Sequence, residues 1–256
     1  MKKTIFIPLF LLLYISVNYA QFTKKEDRIR FGFGVSTLTD ESINALVDGV
    51  FEETGKIGPA LETNRFSDHI TYFMEYEHEY NHTFSYLINL QYHGDIVSGS
   101  KFDQTVKTEQ GMNYEFDLVE GGFNLVGYFP LFKIKTTQIN AIIAGGPDLT
   151  YTLVKSFYFM YQPGLYQQKI YSEKQGMIFG GRIFTGVDIP FVESLFLQLR
   201  VGYNYRPKRT MHSEVTEKIE LDRDEAGSKL DPEIFNRYNS IDFSQVWGSF
   251  NIAYRF

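Results

Sequence analysis

In one stretch after another this chain alternates apolar and polar side chains with a period of two, which restricts it to β-strands whose two faces meet different surroundings. Residues 28–37 set Ile29, Phe31, Phe33 and Val35 against Arg30, Gly32, Gly34 and Ser36. Residues 69–80 set Ile70, Tyr72, Met74, Tyr76 and Tyr80 against Glu75, Glu77 and Glu79, and residues 83–93 set Phe84, Tyr86, Ile88, Leu90 and Tyr92 against Ser85, Asn89, Gln91 and His93. The same rhythm returns over 177–189, 194–206 and 245–256. Two further stretches are less regular. In 114–128 the apolar phase passes from Phe116 and Leu118 to Val119, Phe123 and Leu125, which predicts a β-bulge. In 138–153 the run Gly145-Gly146-Pro147 predicts a bulge or kink, because proline cannot donate to a ladder.

Alternation does not say which face points inward, but volume does. Eight strands enclose an interior barely wide enough for side chains, and a chain with 18 Tyr and 24 Phe carries far more bulk on its apolar faces than that interior holds. The apolar faces must therefore look outward, onto lipid. The connections agree: links near 81–82, 129–137 and 189–193 are short, whereas those near 38–68, 95–113, 154–175 and 207–241 are long. Strict alternation of short and long links is the plan of a barrel with periplasmic turns and extracellular loops. The expected fold is all-β, a transmembrane antiparallel up-and-down barrel of eight strands with long extracellular loops.

Residues 1–20 carry Lys2 and Lys3, an apolar run from Ile5 to Val17, and Ala20 before Gln21. This is the layout of a signal peptide cleaved near Ala20, leaving 21–256 as one barrel domain. No later run is long and apolar enough for a membrane helix, so a closed barrel is the one membrane architecture open to the mature chain. The absence of Cys excludes disulfides, thiolate metal sites and a lipid-modified cysteine anchor. A net charge of −6, made more acidic by loss of the leader lysines, argues against a nucleic-acid partner.

The leader ending in Ala20-Gln21 and the last strand, with Phe250, Ile252, Tyr254 and Phe256 closing on a terminal aromatic, resemble the small outer-membrane β-barrel proteins, particularly those of the Bacteroidota. The resemblance implies residence in the outer membrane of a Gram-negative bacterium. It also implies that Phe250, Ile252, Tyr254 and Phe256 form an insertion signal read by the barrel-assembly machinery. It implies little about activity, since such barrels include structural proteins, adhesion or assembly partners, narrow channels and a few lipid enzymes.

Chemistry-bearing residues are few. Glu75, Glu77 and Glu79 share one strand face and repel one another, so a confined lumen needs cations beside them. Arg30, Arg182, Arg200 and Arg255 fall on inward faces, with Glu79 expected next to Arg30 and Glu75 level with Arg182 and Arg200. The cluster reads as a salt-bridged plug, with a cation or proton pathway as the alternative. His78 and His82 lie on the girdle side of a strand and read as interfacial polar residues, and no metal site or cofactor is expected. His93 with Ser98 or Ser100, and His212 with Ser213, lack a partner acid at a diagnostic spacing, so no enzyme is expected.

The loops say more. Residues 39–55 begin with a cap at Thr39 or Asp40 and space Ile43, Leu46, Val47, Val50 and Phe51 as one face of an amphipathic helix, which would cap the barrel mouth. Residues 207–240 mix both charge signs and read as solvated. Residues 156–172 read as a hairpin above the outer leaflet, turning at Gln162-Pro163-Gly164 and exposing Phe157, Tyr158, Phe159, Met160, Tyr161, Tyr166 and Tyr171. Those aromatics suggest a protein-binding patch, the alternative being a membrane-surface girdle. The chain is thus expected to be a non-enzymatic structural or partner-binding barrel, with a narrow channel or hydrophobic-ligand conduit second and a lipid-modifying enzyme third.

Overall fold

The computed structural model describes residues 27–38, 42–56, 61, 68–80, 83–104, 107–135, 137–163, 166–221, 229–236 and 240–256. The expected leader, the helix caps Thr39 and Asp40, His82 and Gly164 lie outside them. In chain order the elements are β1 (Asp27–Leu38), α1 (Ser42–Gly55), β2 (Asp68–Glu79), β3 (Phe84–Asp103), β4 (Thr108–Ile134), β5 (Thr137–Gln162), β6 (Tyr166–Val192) and β7 (Leu195–Tyr205). There follow β8 (Arg209–Thr210), β9 (His212–Leu221), a 3-10 turn (Pro232–Asn236), β10 (Ser240–Ile241) and β11 (Gln245–Arg255).

Strands β1 to β7 pair antiparallel with their chain neighbours, and β11 closes the ring between β7 and β1. Stepping across hydrogen-bonded partners from Asp27 through His78, Tyr86, Leu125, Gly145, Ile183, Tyr203 and Val246 leads back to β1 at Thr37. Such an offset gives a strand tilt of about 40° and an interior that side chains fill. The seam is tied at its foot, where the Asp27 N–H donates to the Phe256 carbonyl at 3.4 Å and the Phe256 N–H to Asp27 at 3.0 Å.

Along every barrel strand one set of residues points out and is apolar, including Phe33, Leu125, Phe179 and Ile183, each more than half exposed. A continuous belt of that size is untenable in water, whereas closure satisfies the backbone groups that lipid cannot. The chain is a transmembrane antiparallel β-barrel of eight strands. No helix among the described residues is long and apolar enough to cross a membrane.

Crossing the apolar band takes about 10 residues per strand, yet β4, β5 and β6 hold 27, 26 and 27. Most of the surplus stands above the outer leaflet, and the end of β4 runs on below the foot of the barrel to Ile134. The links expected at 95–113 and 154–175 are therefore mostly strand, with β3 running to Asp103, β4 starting at Thr108 and β5 reaching Gln162. The described residues of 207–240 do not form a solvated loop either. Its β9 pairs with the far end of β6, from Tyr166 opposite Leu221 to Gln175 opposite His212, and Met211, Leu230, Ile234 and Phe235 are buried. A five-stranded wall, β3-β4-β5-β6-β9, thus rises on one side of the mouth.

The concave side of this wall has a core of its own. Val97, Met112, Tyr114, Phe116, Leu118, Val154, Tyr158 and Met160 pack there with Leu46, Val47, Val50 and Phe51 of α1 and with Ile234, Phe235, Ile241 and Phe243. The helix forms where its apolar residues recur at helical spacing, buries that stripe against the wall, and caps the mouth from within. The Thr54 hydroxyl donates to the Phe51 carbonyl at 2.8 Å near its C-terminal end. The side chain of Ile43 lies outside the described residues.

Two local expectations are corrected. β4 keeps one register against β3 from Thr108 to Gly127, with no bulge between Leu118 and Val119. Phe116 and Leu118 face inward, 1% and 2% exposed, because the interior beside them is the apolar core of the wall rather than the polar lumen. The bulge sits lower, between Pro130 and Phe132. Against β6, β5 runs unshifted past Pro147, with Gly146 opposite Arg182 and Pro147 opposite Gly181, so no bulge forms there, although its pairing with β4 lapses between Asp148 and Gly145. Gly146 is required there, since a Cβ would come within 1.9 Å of the Phe123 carbonyl oxygen.

Candidate functional site

Beneath the apolar cap the lumen is filled by charge in layers. At the foot, Arg28 meets Asp188 at 3.2 Å, and its guanidinium lies 4.3 Å from the Phe196 ring centre. Gln198 donates to the other Asp188 oxygen at 2.5 Å. One layer up, Arg30 pairs with Glu77 and donates to the Tyr128 hydroxyl at 2.8 Å, which in turn donates to Glu77 at 2.7 Å.

Glu75 occupies the centre. It accepts from Arg200 at 2.9 and 2.7 Å and lies 3.7 Å from both Arg30 and Arg182. Above it Glu120 pairs with Arg206, accepts from Asn204 at 2.9 Å and stands 3.6 Å from Arg182. The Trp247 indole donates to Asn204 at 2.8 Å while its ring carries the Arg182 guanidinium at 4.7 Å. This ring fits only because position 202 is glycine, whose Cβ would meet it at 2.5 Å. At the top, His93 lies within 2.7 Å of the Thr71 hydroxyl and 3.2 Å of the Gln245 amide, with the His69 ring 5.5 Å away.

Of the residues singled out from the sequence, Arg30, Glu75, Glu77, Arg182 and Arg200 come together in one network. Glu79 does not pair with Arg30: the register sets Arg30 opposite Glu75 and Arg28 opposite Glu77, so Glu79 lies below, near the foot. Arg255 stays outside the cluster, at the periplasmic rim, where it donates to the Glu193 carbonyl at 2.7 Å and lies over Phe196. Arg28, Glu120, Asp188 and Arg206 complete the network without having been singled out. Asp188, Arg206 and Glu120 all carry the inward phase of their strands and were legible, Glu120 because Val119, Phe123 and Leu125 fall on the other face.

His78 faces outward, within 2.6 Å of Asp27 and with its ring tilted against Tyr86, centres 4.8 Å apart. His93 is fully buried inside, while Ser98 and Ser100 point to the opposite face of β3 and are exposed, so the pairing that an acyl-transfer site would need is absent there. The side chains of His212 and Ser213 lie outside the described residues.

The hairpin of aromatics is divided by the pleat. Tyr158 and Met160 point into the core of the wall, 0% and 1% exposed, whereas Phe157, Tyr161 and Tyr171 are exposed on its convex side. Phe159 lies half-buried there, its ring over Gly111, whose Cβ would meet it at 2.3 Å. The side chain of Tyr166 lies outside the described residues. In the last strand Ile252, Tyr254 and Phe256 face outward as expected of a lipid-facing strand, with Phe250 half-buried against Phe33 at 6.1 Å.

The fold and its interior define a small barrel of outer-membrane type whose bore is closed by ion pairs beneath an extracellular wall. No family model matches the sequence, and no curated protein matches it. Among solved structures the chain is similar to OprG from Pseudomonas aeruginosa (TM-score 0.42, 10% identity, 91% of this chain and 96% of that one). It is also similar to Ail, the attachment invasion locus protein of Yersinia pestis (0.39, 9%, 91% and 100%), and to Neisserial surface protein A (0.39, 10%, 91% and 98%).

Proposed function

We propose that this protein is a non-enzymatic component of the outer membrane of a Gram-negative, Bacteroidota-type bacterium, exported by a leader cleaved near Ala20 and inserted by the barrel-assembly machinery. On this reading it works through its extracellular half, as a structural or partner-binding barrel. The observation that carries the reading is the division of the interior. The bore is occupied by mutually paired arginines and carboxylates, including the fully buried Arg30, Arg182 and Arg206, and opening it would separate charges in a confined space. The part free to act is the wall, whose convex face holds Phe157, Phe159, Tyr161 and Tyr171.

Two measurements test it. In planar bilayers the protein should conduct no steady ion current, and a stable open channel would favour the narrow-channel reading. Replacing Phe157, Phe159 and Tyr161 with Ser should leave heat-modifiable migration intact and abolish recovery of a protein partner from native membranes. Recovery at the wild-type level would remove the convex face as the contact.

A further inference from the structure

The lipid-facing belt does not end at the foot of the barrel. β3 accompanies β4 only down to Phe84 opposite Gly127, but β4 continues to Ile134, which faces Thr137 of β5 across a tight turn. The Tyr128 N–H still donates to the Thr83 carbonyl at 2.8 Å, and among the described strands the residues of β4 beyond it pair on the β5 side alone. Pro130 cannot donate, and the shift between Pro130 and Phe132 ends the strict alternation. The resulting two-stranded tip leaves Phe129, Leu131, Phe132 and Ile134 exposed, at 44, 52, 56 and 56%.

Charge is distributed unevenly here. In a chain of net charge −6, residues 129–138 contain Lys133 and Lys135 and no carboxylate, and both lysines are exposed. Lys135 holds the turn with φ of 54°, a left-handed conformation that glycine or asparagine adopts more readily. The tip extends roughly 15 Å along the barrel axis beyond Tyr128, enough to cross a headgroup layer about 5–8 Å deep. Its apolar side chains are continuous with the belt through Phe129 and Phe84. Lysine stems can lie along such a surface while their ammonium groups reach the phosphates.

We propose that the β4–β5 tip is an interfacial anchor that binds anionic phospholipid headgroups of the periplasmic leaflet through Lys133 and Lys135. Leu131, Phe132 and Ile134 then sit at the boundary of the acyl chains. Each lysine near an anionic surface strengthens association with it by about fivefold.

The test uses the full chain refolded into phosphatidylcholine vesicles containing a minor fraction of phosphatidylglycerol, with Phe132→Trp as reporter. The native Trp247 is buried in the lumen, 1% exposed, and its signal is subtracted using the unsubstituted protein. Brominated phosphatidylglycerol should quench the introduced indole several-fold more than the same fraction of brominated phosphatidylcholine. Lys133→Gln with Lys135→Gln, or high salt, should erase the difference. Equal quenching by the two lipids would overturn the proposal, leaving an apolar contact without headgroup preference. Absence of quenching by either would also overturn it, placing the tip in water or against protein. Ile134→Trp supplies a second reporter should Phe132→Trp fail to refold, as judged by heat-modifiable migration.

Discussion

Replacing Glu75 with Gln removes the one carboxylate that three arginines share. Arg200 contacts it through two bonds of 2.9 and 2.7 Å, and Arg30 and Arg182 each stand 3.7 Å away. The amide keeps the shape and can still accept one bond from Arg200, so the loss is chiefly electrostatic. It leaves Arg28, Arg30, Arg182, Arg200 and Arg206 buried against one fewer anion. Breaking a buried pair costs about 3–5 kcal/mol, a large share of the 5–15 kcal/mol that typically holds a folded domain together. Trp247, stacked against Arg182 in the same layer, reports the opening by its fluorescence during urea unfolding in lipid vesicles. The midpoint should fall well below that of the unsubstituted protein, and pairing Glu75→Gln with Arg200→Gln should recover a good part of the loss, since the second change removes a stranded charge. If Glu75→Gln unfolds with the unsubstituted protein, or if the two substitutions simply add, the bore is not held by this network.

Three other perturbations probe separate parts of the fold. Removing Val246 to Phe256 deletes the strand that joins β7 to β1 and leaves two edges in lipid, where each unsatisfied backbone group costs several kcal/mol; the truncated chain should not accumulate in membranes, which a membrane-fraction immunoblot measures. Leu46→Asp with Val50→Asp places carboxylates on the face of α1 that is 1% and 0% exposed, at about 2–5 kcal/mol each; external protease should then cut the extracellular half faster while heat-modifiable migration of the barrel persists. Gly146→Val brings a side chain against the Phe123 carbonyl, where even a Cβ would lie 1.9 Å away, and should lower the yield of folded barrel in refolding assays, with an unchanged yield contradicting the close approach at that crossing.

The barrel was legible because lipid imposes one rule on every outward position. Phe31, Phe33, Ile70, Tyr72, Leu199 and Ile252 all had to be apolar, and each is exposed in the structure. The links were less legible because the same alternation continues above the membrane, where it reports a soluble sheet with its own core. Residues 95–113 and 154–175 therefore read as loops although β3, β4, β5 and β6 pass through them. The last link misled for another reason. Exposed Glu214, Thr216 and Lys218 in β9 dominate its composition, whereas its contribution to the core comes from scattered residues such as Met211 and Phe235 that have no periodicity of their own.

The charge cluster shows the same limit from inside. Whether Arg30 meets Glu75, Glu77 or Glu79 depends on a register that is set by closing the ring, and a shift of two residues leaves the alternation on each strand unchanged. Composition along the inward face nonetheless holds information about height. On β4 the inward residues run Met112, Tyr114, Phe116 and Leu118, then turn polar at Glu120 and Asn124, while the outward ones run Asn113, Glu115 and Asp117, then turn apolar at Val119, Phe123 and Leu125. An exchange of character on both faces, with the register against β3 unbroken, thus marks where a polar bore facing lipid on its outside gives way to an apolar core facing water. A bulge instead turns two successive residues to the same side, as it does beyond Pro130, where Leu131 and Phe132 are both exposed. That difference separates a change of surroundings from a change of geometry, and in β4 the two lie one above the other on a single strand.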